Sequence, residues 1–194
     1  MQEIDSLDLL LGSVEAEQNA RDDVKRALRF ALRTRSQRAL ASELGISQPA
    51  IAQRLKGYAS AYDTEALYTL TTVSRDIAQQ LQGNESLSTI LRTLAQAIID
   101  FRSLRFAHDQ RYFLRLPGTT GDPRFDALIA GLAEREARRA GVRVPLWTKN
   151  DAYVLSEAWF VTDVPGLRAT IFRDSPPEFA LRNVYLDPRE LESV

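Results

Sequence analysis

The sequence predicts a mainly α fold: an N-terminal helical bundle, a central helical hairpin, and a small α+β C-terminal part with a short β-hairpin or sheet. Three observations predict it. Apolar residues recur at spacings of three and four along most of the first 140 positions. Capping residues and glycines divide that pattern into short segments. After Gly141 the character changes, and five of the eight prolines and both tryptophans fall beyond it.

The first helix is expected over residues 13–35, with Ser13 as N-cap and Val24, Ala27, Leu28 and Ala31 as one apolar stripe. Acids early and bases late in that segment complement the helix dipole. Two short helices follow within "SQRALASELGISQPAIAQRLKGY", residues 36–58, and then a loop around Gly57 and "YASAYD". A helix over 64–82, capped by Asp63, carries Leu67, Leu70, Val73, Ile77 and Leu81 on one face. "GNES" is a turn, with Gly83 as a left-handed C-terminal cap.

The next helix, 86–104, carries Leu87, Leu91, Leu94, Ile98 and Phe101, and pairs with the preceding one as a hairpin. That hairpin is either core or dimer surface. A short helix in "AHDQRYFLRLP" stops at Pro117. Asp122 caps, and Pro123 opens, a helix lined by Phe125, Leu128, Ile129 and Leu132. "LRATIF" alternates Leu167, Ala169 and Ile171 as a half-buried strand does, with "NVYLD" as its partner and "SPPEFALR" as a turn or one helical turn between them. The domains read as 1–60 and 61–194, with a possible sub-boundary near 118–122.

Composition narrows the chemistry. The chain has 194 residues, 44% hydrophobic and 26% charged, which suits a folded protein rather than a disordered one. No run approaches the apolar length of a membrane span, and the acidic start lacks the basic region of a secretory signal. Without cysteine there is no disulfide, thiolate zinc site or cysteine nucleophile. The expectation is a cytoplasmic protein. The single histidine, His108, has no nucleophile motif near it and reads as solvated or structural. Carboxylate catalysis stays open on composition, but no pair of acids stands out. The reading is therefore a non-enzyme with no catalytic residue, cofactor or metal.

The formal net charge of −1 conceals an uneven distribution. Residues 21–58 hold nine Lys or Arg against Asp22, Asp23 and Glu43, whereas residues 1–20 hold five acids and no base. A basic segment in an otherwise acidic chain is what a footprint on phosphate requires.

That segment contains the motif with most meaning. Gly45 sets its register, since it accepts the positive φ of a tight bend. Leu40 and Leu44 of the first short helix then face Ile51 and Leu55 of the second, Ala41 permits close approach, and Ile46 plugs the corner. Ser47 caps the second helix and Pro49 sits in its first turn, where a missing N–H costs nothing. Arg54 occupies a place more often apolar, so Leu55 carries the packing there.

In spacing and residue type, "ALASELGISQPAIAQRL" resembles the helix-turn-helix of the phage repressor and Cro class, also called XRE-like. The resemblance covers about a tenth of the chain and implies sequence-specific binding to a double-stranded DNA operator. By position it implies that Ser47, Gln48, Pro49, Ala52 and Gln53 face bases. Gln48 and Gln53 suit adenine N6 and N7, and Pro49 and Ala52 suit a thymine methyl. Gln37 would meet a phosphate, and Arg38, Arg54 and Lys56 would neutralise the backbone. Such proteins pair, so a homodimer is expected.

Residues 121–192 are similar to the C-terminal parts of actinobacterial antitoxin-like regulators, which implies a possible cognate toxin as partner. Three alternatives remain beside a repressor or antitoxin-type autoregulator. They are a one-component ligand sensor, a protein-interaction module whose hairpin imitates the motif, and an enzyme carrying a DNA-targeting module. Trp147 and Trp159, with Phe160 and Tyr185, read as a satellite core or an aromatic binding surface.

Overall fold

The computed structural model describes residues 6–61, 68–162 and 164–191, except for the side chains of Asp8 and Pro165. The chain divides into two compact units, Met1–Ala66 and Leu67–Val194. Both are mainly helical, and the second adds a two-stranded parallel sheet.

The first unit begins with α1 (Ser6–Ala31), followed by α2 (Gln37–Glu43) and α3 (Gln48–Leu55). α1 starts a full two turns before the expected cap. Ser13 lies inside it, its hydroxyl donating to the Leu9 carbonyl at 3.0 Å. An N-cap needs extended backbone, and the leucines at 7, 10 and 11 continue the helical period without a breaker, so the helix forms through Ser13. It also ends at Ala31 rather than Arg35, the chain turning over 32–35. The expected stripe is narrower than its pattern: Leu28 is buried, but Val24 and Ala27 are exposed. The core of this unit is Leu40, Ala41 and Ile51, enclosed by Ala31, Leu32, Ile46 and Leu55. It ties the end of α1 to both short helices, neither of which could hold its shape alone.

The second unit opens with α4 (Leu70–Gln82) and α5 (Leu87–Ser103), which pack together across a four-residue turn. Leu70, Val73 and Ile77 of α4 and Ile90, Leu94, Ile98 and Phe101 of α5 are buried. Leu87 and Leu91 are only half-buried, and Ile90 takes the central place instead. α4 starts at Leu70 with Thr69 in extended conformation before it, six residues later than the sequence predicts. The expected Asp63 cap and residues 64–67 lie outside the described residues. The turn is also displaced by one position. Gly83 stays right-handed at φ −77°, and Asn84 takes the left-handed conformation at φ 53°. The Glu85 N–H then reaches the Gln80 carbonyl at 2.9 Å, closing the helix end. Asparagine tolerates that conformation better than other residues with a Cβ, which frees the glycine to extend the helix.

α6 (Ala107–Phe113) sets Phe113 edge-on against Phe101, ring centroids 5.3 Å apart. α7 (Pro123–Ala140) is the central helix of this unit, buried along most of its length from Phe125 to Ala137. Asp122 caps it, accepting from the Arg124 N–H, and Gly141 closes it in left-handed conformation. Gly131, in mid-helix, has a steric reason. A Cβ there would lie 2.5 Å from Cδ1 of the fully buried Phe179. The glycine therefore accepts the usual helix penalty so that an aromatic ring can rest on the backbone.

The C-terminal strands are β1 (Trp159–Phe160) and β2 (Val184–Tyr185), with α8 (Arg168–Asp174) and α9 (Pro177–Ala180) between them. The expected small sheet is present, but its strands are not the expected pair of "LRATIF" and "NVYLD". Residues 168–174 are helical, and of the alternating set only Ile171 is buried, while Leu167 and Ala169 are exposed. β2 pairs with Trp159–Phe160, in parallel. Parallel pairing needs a crossover of a dozen or more residues, and α8 and α9 supply it. The expected helical turn in "SPPEFALR" is α9.

The aromatic residues make separate local contacts, with Tyr185 buried and Trp147, Trp159 and Phe160 half-buried. The Trp147 indole donates to the Leu114 carbonyl at 2.9 Å, Trp159 lies edge-on to Phe125, and Phe160 and Phe172 both stack with Tyr185. His108 is stacked with Phe106, its Nε2 3.6 Å from the buried carboxyl of Asp109. Among the described residues no helix is long and apolar enough to cross a membrane.

Candidate nucleic-acid interface

Residues 36–58 build a rigid pair of helices from local signals. Ser36 and Ser47 are both extended N-caps, whose hydroxyls accept from the Ala39 N–H at 3.1 Å and the Ala50 N–H at 3.3 Å. Each satisfies one of the orphan donors at a helix start. Pro49 lies in the first turn of α3. Gly45 has φ +64°, and the Ile46 N–H returns to the Ala41 carbonyl at 3.0 Å, so the bend closes with its backbone groups paired.

Ile51 is the pivot: with no exposed surface, it anchors the inner side of α3, next to Leu40 and Ala41. One expected packing partner is absent. Leu44, the C-cap residue of α2, is 53% exposed. Ile46 and Leu55, with Ala31 at the end of α1 and Leu32 in the turn after it, fill that role. Arg54 is exposed, and Leu55 carries the packing beside it.

The opposite side of α3 is open. Ser47, Gln48, Pro49, Ala52 and Gln53 are all exposed, at the tip and along the first two turns of the helix. Since positions three and four apart share a helix face, Gln48 and Ala52 lie in line, as do Pro49 and Gln53. Arg38, Arg54 and Lys56 are also exposed, and no ion pair holds any of the three among the described residues. All eight are exposed: Gln48, Pro49, Ala52, Gln53 and Arg54 on α3, Ser47 and Lys56 at its two caps, and Arg38 on α2.

Gln37 has a different setting from the phosphate contact expected of it. Its side-chain Nε2 donates to the Gln48 carbonyl at 2.8 Å, bracing the start of α2 against the start of α3. A second brace was not foreseen. Arg35 and Glu43 form an ion pair that spans the turn into α2 and its end. Arg35 and Glu43 are eight residues apart with a helix break between them, so no fixed helical spacing marks the pair in the sequence. This pair takes up the one acid between residues 24 and 58, leaving the surrounding field basic.

Outside this surface, a groove of about 700 Å³ runs beside α4 and α5, with Asp76, Gln80, Arg92 and Thr93 in its lining. Among the described residues no three His, Asp or Glu side chains gather as a metal site would require. No family model, curated protein or solved structure matches the chain.

Proposed function

We propose that this protein binds double-stranded DNA with sequence preference through residues 36–58, acting in the cytoplasm as a transcriptional repressor or antitoxin-type autoregulator. The observation that carries this reading is the pairing of opposites on α3. Its inner side is locked by fully buried Ile51, while Gln48 and Gln53 stand exposed and unburdened by packing. A helix so held can enter a major groove without rearranging, and its glutamine amides match the donor and acceptor pattern of adenine. Arg38 on α2, with Arg54 and Lys56 at the far end of α3, would supply sequence-independent attraction to phosphates. Two copies would address two half-sites, and the unit Leu67–Val194 would carry regulation, a cognate toxin being the partner suited to an autoregulator.

The basic residues provide the test. Neutralising one phosphate contact lowers the slope of log affinity against log salt by about 0.9 on B-form DNA. Arg38→Ala/Arg54→Ala/Lys56→Ala is expected to flatten that slope by roughly 2 to 3 for any duplex, with preference between duplexes retained. Titrations across a salt series measure both. An unchanged slope would remove these side chains from the interface.

A further inference from the structure

The last turn of α1 leaves a large aromatic side chain in water. Phe30 is 69% exposed, more than any other large apolar residue described in Met1–Ala66. Its neighbours in sequence turn inward instead. Leu28 is buried, and Ala31 and Leu32 pack against the core of Leu40, Ala41 and Ile51. What the Phe30 ring meets is a cation. The guanidinium carbon of Arg33 lies over it, 5.6 Å from the centroid, within the range of a cation–π contact.

That contact holds Arg33 without using up its chemistry. Arg33 lies in the turn after α1, is exposed, and has no acidic partner among the described residues. Glu43, the one acid between residues 24 and 58, is held by Arg35. No side-chain hydrogen bond to the protein engages Arg33 either, so its five N–H donors remain available. Such a guanidinium takes two oxygens of one phosphate at once. A side chain already rested on a ring also loses less freedom on binding than one free in solvent.

The turn brings this group to the surface read above as the DNA contact. Gln37, four residues on, donates to the Gln48 carbonyl at 2.8 Å, which ties the start of α2 to the start of α3. Four residues of chain span at most about 14 Å. This stretch is shorter than that, since the Thr34 and Arg35 N–H groups both return to the Ala31 carbonyl. The major groove is about 12 Å wide. A duplex that admits the start of α3 therefore brings the phosphates bordering the groove within reach of Arg33.

We propose that Arg33 is a further DNA-binding residue, which takes a backbone phosphate at the edge of the groove, and that Phe30 is the positioning residue that holds it. The proposal rests on the duplex-binding reading of residues 36–58 and adds a contact from outside that segment. It supplies affinity and register rather than preference between duplexes.

The test uses the full chain and a salt series on a duplex of random sequence. Arg33→Ala is expected to lower the slope of log affinity against log salt by about 0.9. Raising salt from about 50 to 200 mM then costs the variant about 3.5-fold less affinity than it costs wild type. Arg33→Lys keeps the charge and is expected to keep the slope. Phe30→Leu is expected to keep the slope but weaken binding about two- to fivefold at fixed salt, and to add nothing in a chain that already carries Arg33→Ala. Both side chains are exposed and outside the core, so the circular dichroism of every variant is expected to match wild type. An unchanged slope for Arg33→Ala would overturn the proposal. If Arg38→Ala/Arg54→Ala/Lys56→Ala flattens the slope in the same series, the DNA reading survives that loss. A Phe30→Leu weakening of equal size with and without Arg33 would overturn the role of the ring. A wild type that binds no duplex would overturn both the proposal and the reading beneath it.

Discussion

A chain carrying Gln48→Ala and Gln53→Ala is expected to keep its affinity for random duplex DNA and lose its preference for a selected one. A well-placed bidentate contact between an amide and a base is worth about 1–3 kcal/mol of discrimination, so losing both would lower the preference by roughly 30-fold to about 25,000-fold. The substitutions should leave the fold intact, for three reasons. Neither side chain packs in the core, both positions are exposed, and alanine is the better helix former. The Gln37 brace also survives, because it uses the backbone carbonyl of residue 48 rather than its side chain. Competition binding against random DNA, with thermal unfolding as a control, measures both effects. An undiminished preference would mean that other residues read the sequence.

The second large effect concerns stability. Arg182→Met is expected to destabilise the unit Leu67–Val194 by about 3–5 kcal/mol, a large part of a typical domain's total stability. Arg182 is buried, and its guanidinium donates to the Glu134 carboxylate at 2.8 Å, to the Thr148 carbonyl at 2.5 Å and to the Glu178 carbonyl. It thereby ties α7 to α9 and to the 3-10 turn at Leu146–Lys149. Methionine fills much of the volume but leaves a buried carboxylate and two carbonyls without that donor.

The loss should depend on pH. Burial pushes the Glu134 carboxyl up, but hydrogen bonds from Arg138 and Arg182 outweigh it and hold the group below its ordinary value of 4.5. A carboxyl depressed in the folded state contributes stability that is present above its unfolded value and is lost as pH falls through its folded value. The gap between wild type and Arg182→Met should therefore be widest near neutrality and narrow as pH falls through the lowered folded value of Glu134. Chemical denaturation at several pH values checks this, and a gap that stays constant into acid would show that the ion pair is not its source.

The two examples differ in how far the sequence reveals them. The surface of α3 follows from local rules: a serine cap, a proline in the first turn, a glycine at positive φ, and an isoleucine and leucine four apart. Each acts within a few residues, so the expected geometry of residues 45–55 and the observed one agree closely. The same locality makes the α5 and α7 boundaries legible, through Ser86, Asp122 and Gly141. Arg182 and Glu134 are 48 residues apart, and only the packing of α9 on α7 brings them together.

Where short-range signals conflicted, tertiary context decided. Leu167, Ala169 and Ile171 alternate like a strand, but β2 is already paired with Trp159–Phe160, and the segment serves as a helical crossover. Leu44 fits the packing pattern by spacing, yet it is 53% exposed, and Ile46 and Leu55 pack in its place. Gly83 was the obvious left-handed residue until Asn84, next to it, took the role. Gln37 shows a limit of another kind. Its exposure and type suit a phosphate contact, and only the distance to the Gln48 carbonyl reveals the internal bond.

We propose that the tip of α3 reads base pairs, and selection from a pool of random duplexes by the full chain is the decisive test. Enrichment of a short motif is expected, one that wild type recovers repeatedly and that Gln48→Ala/Gln53→Ala does not. A pool that stays random under wild type, or the same motif recovered by both proteins, would contradict it.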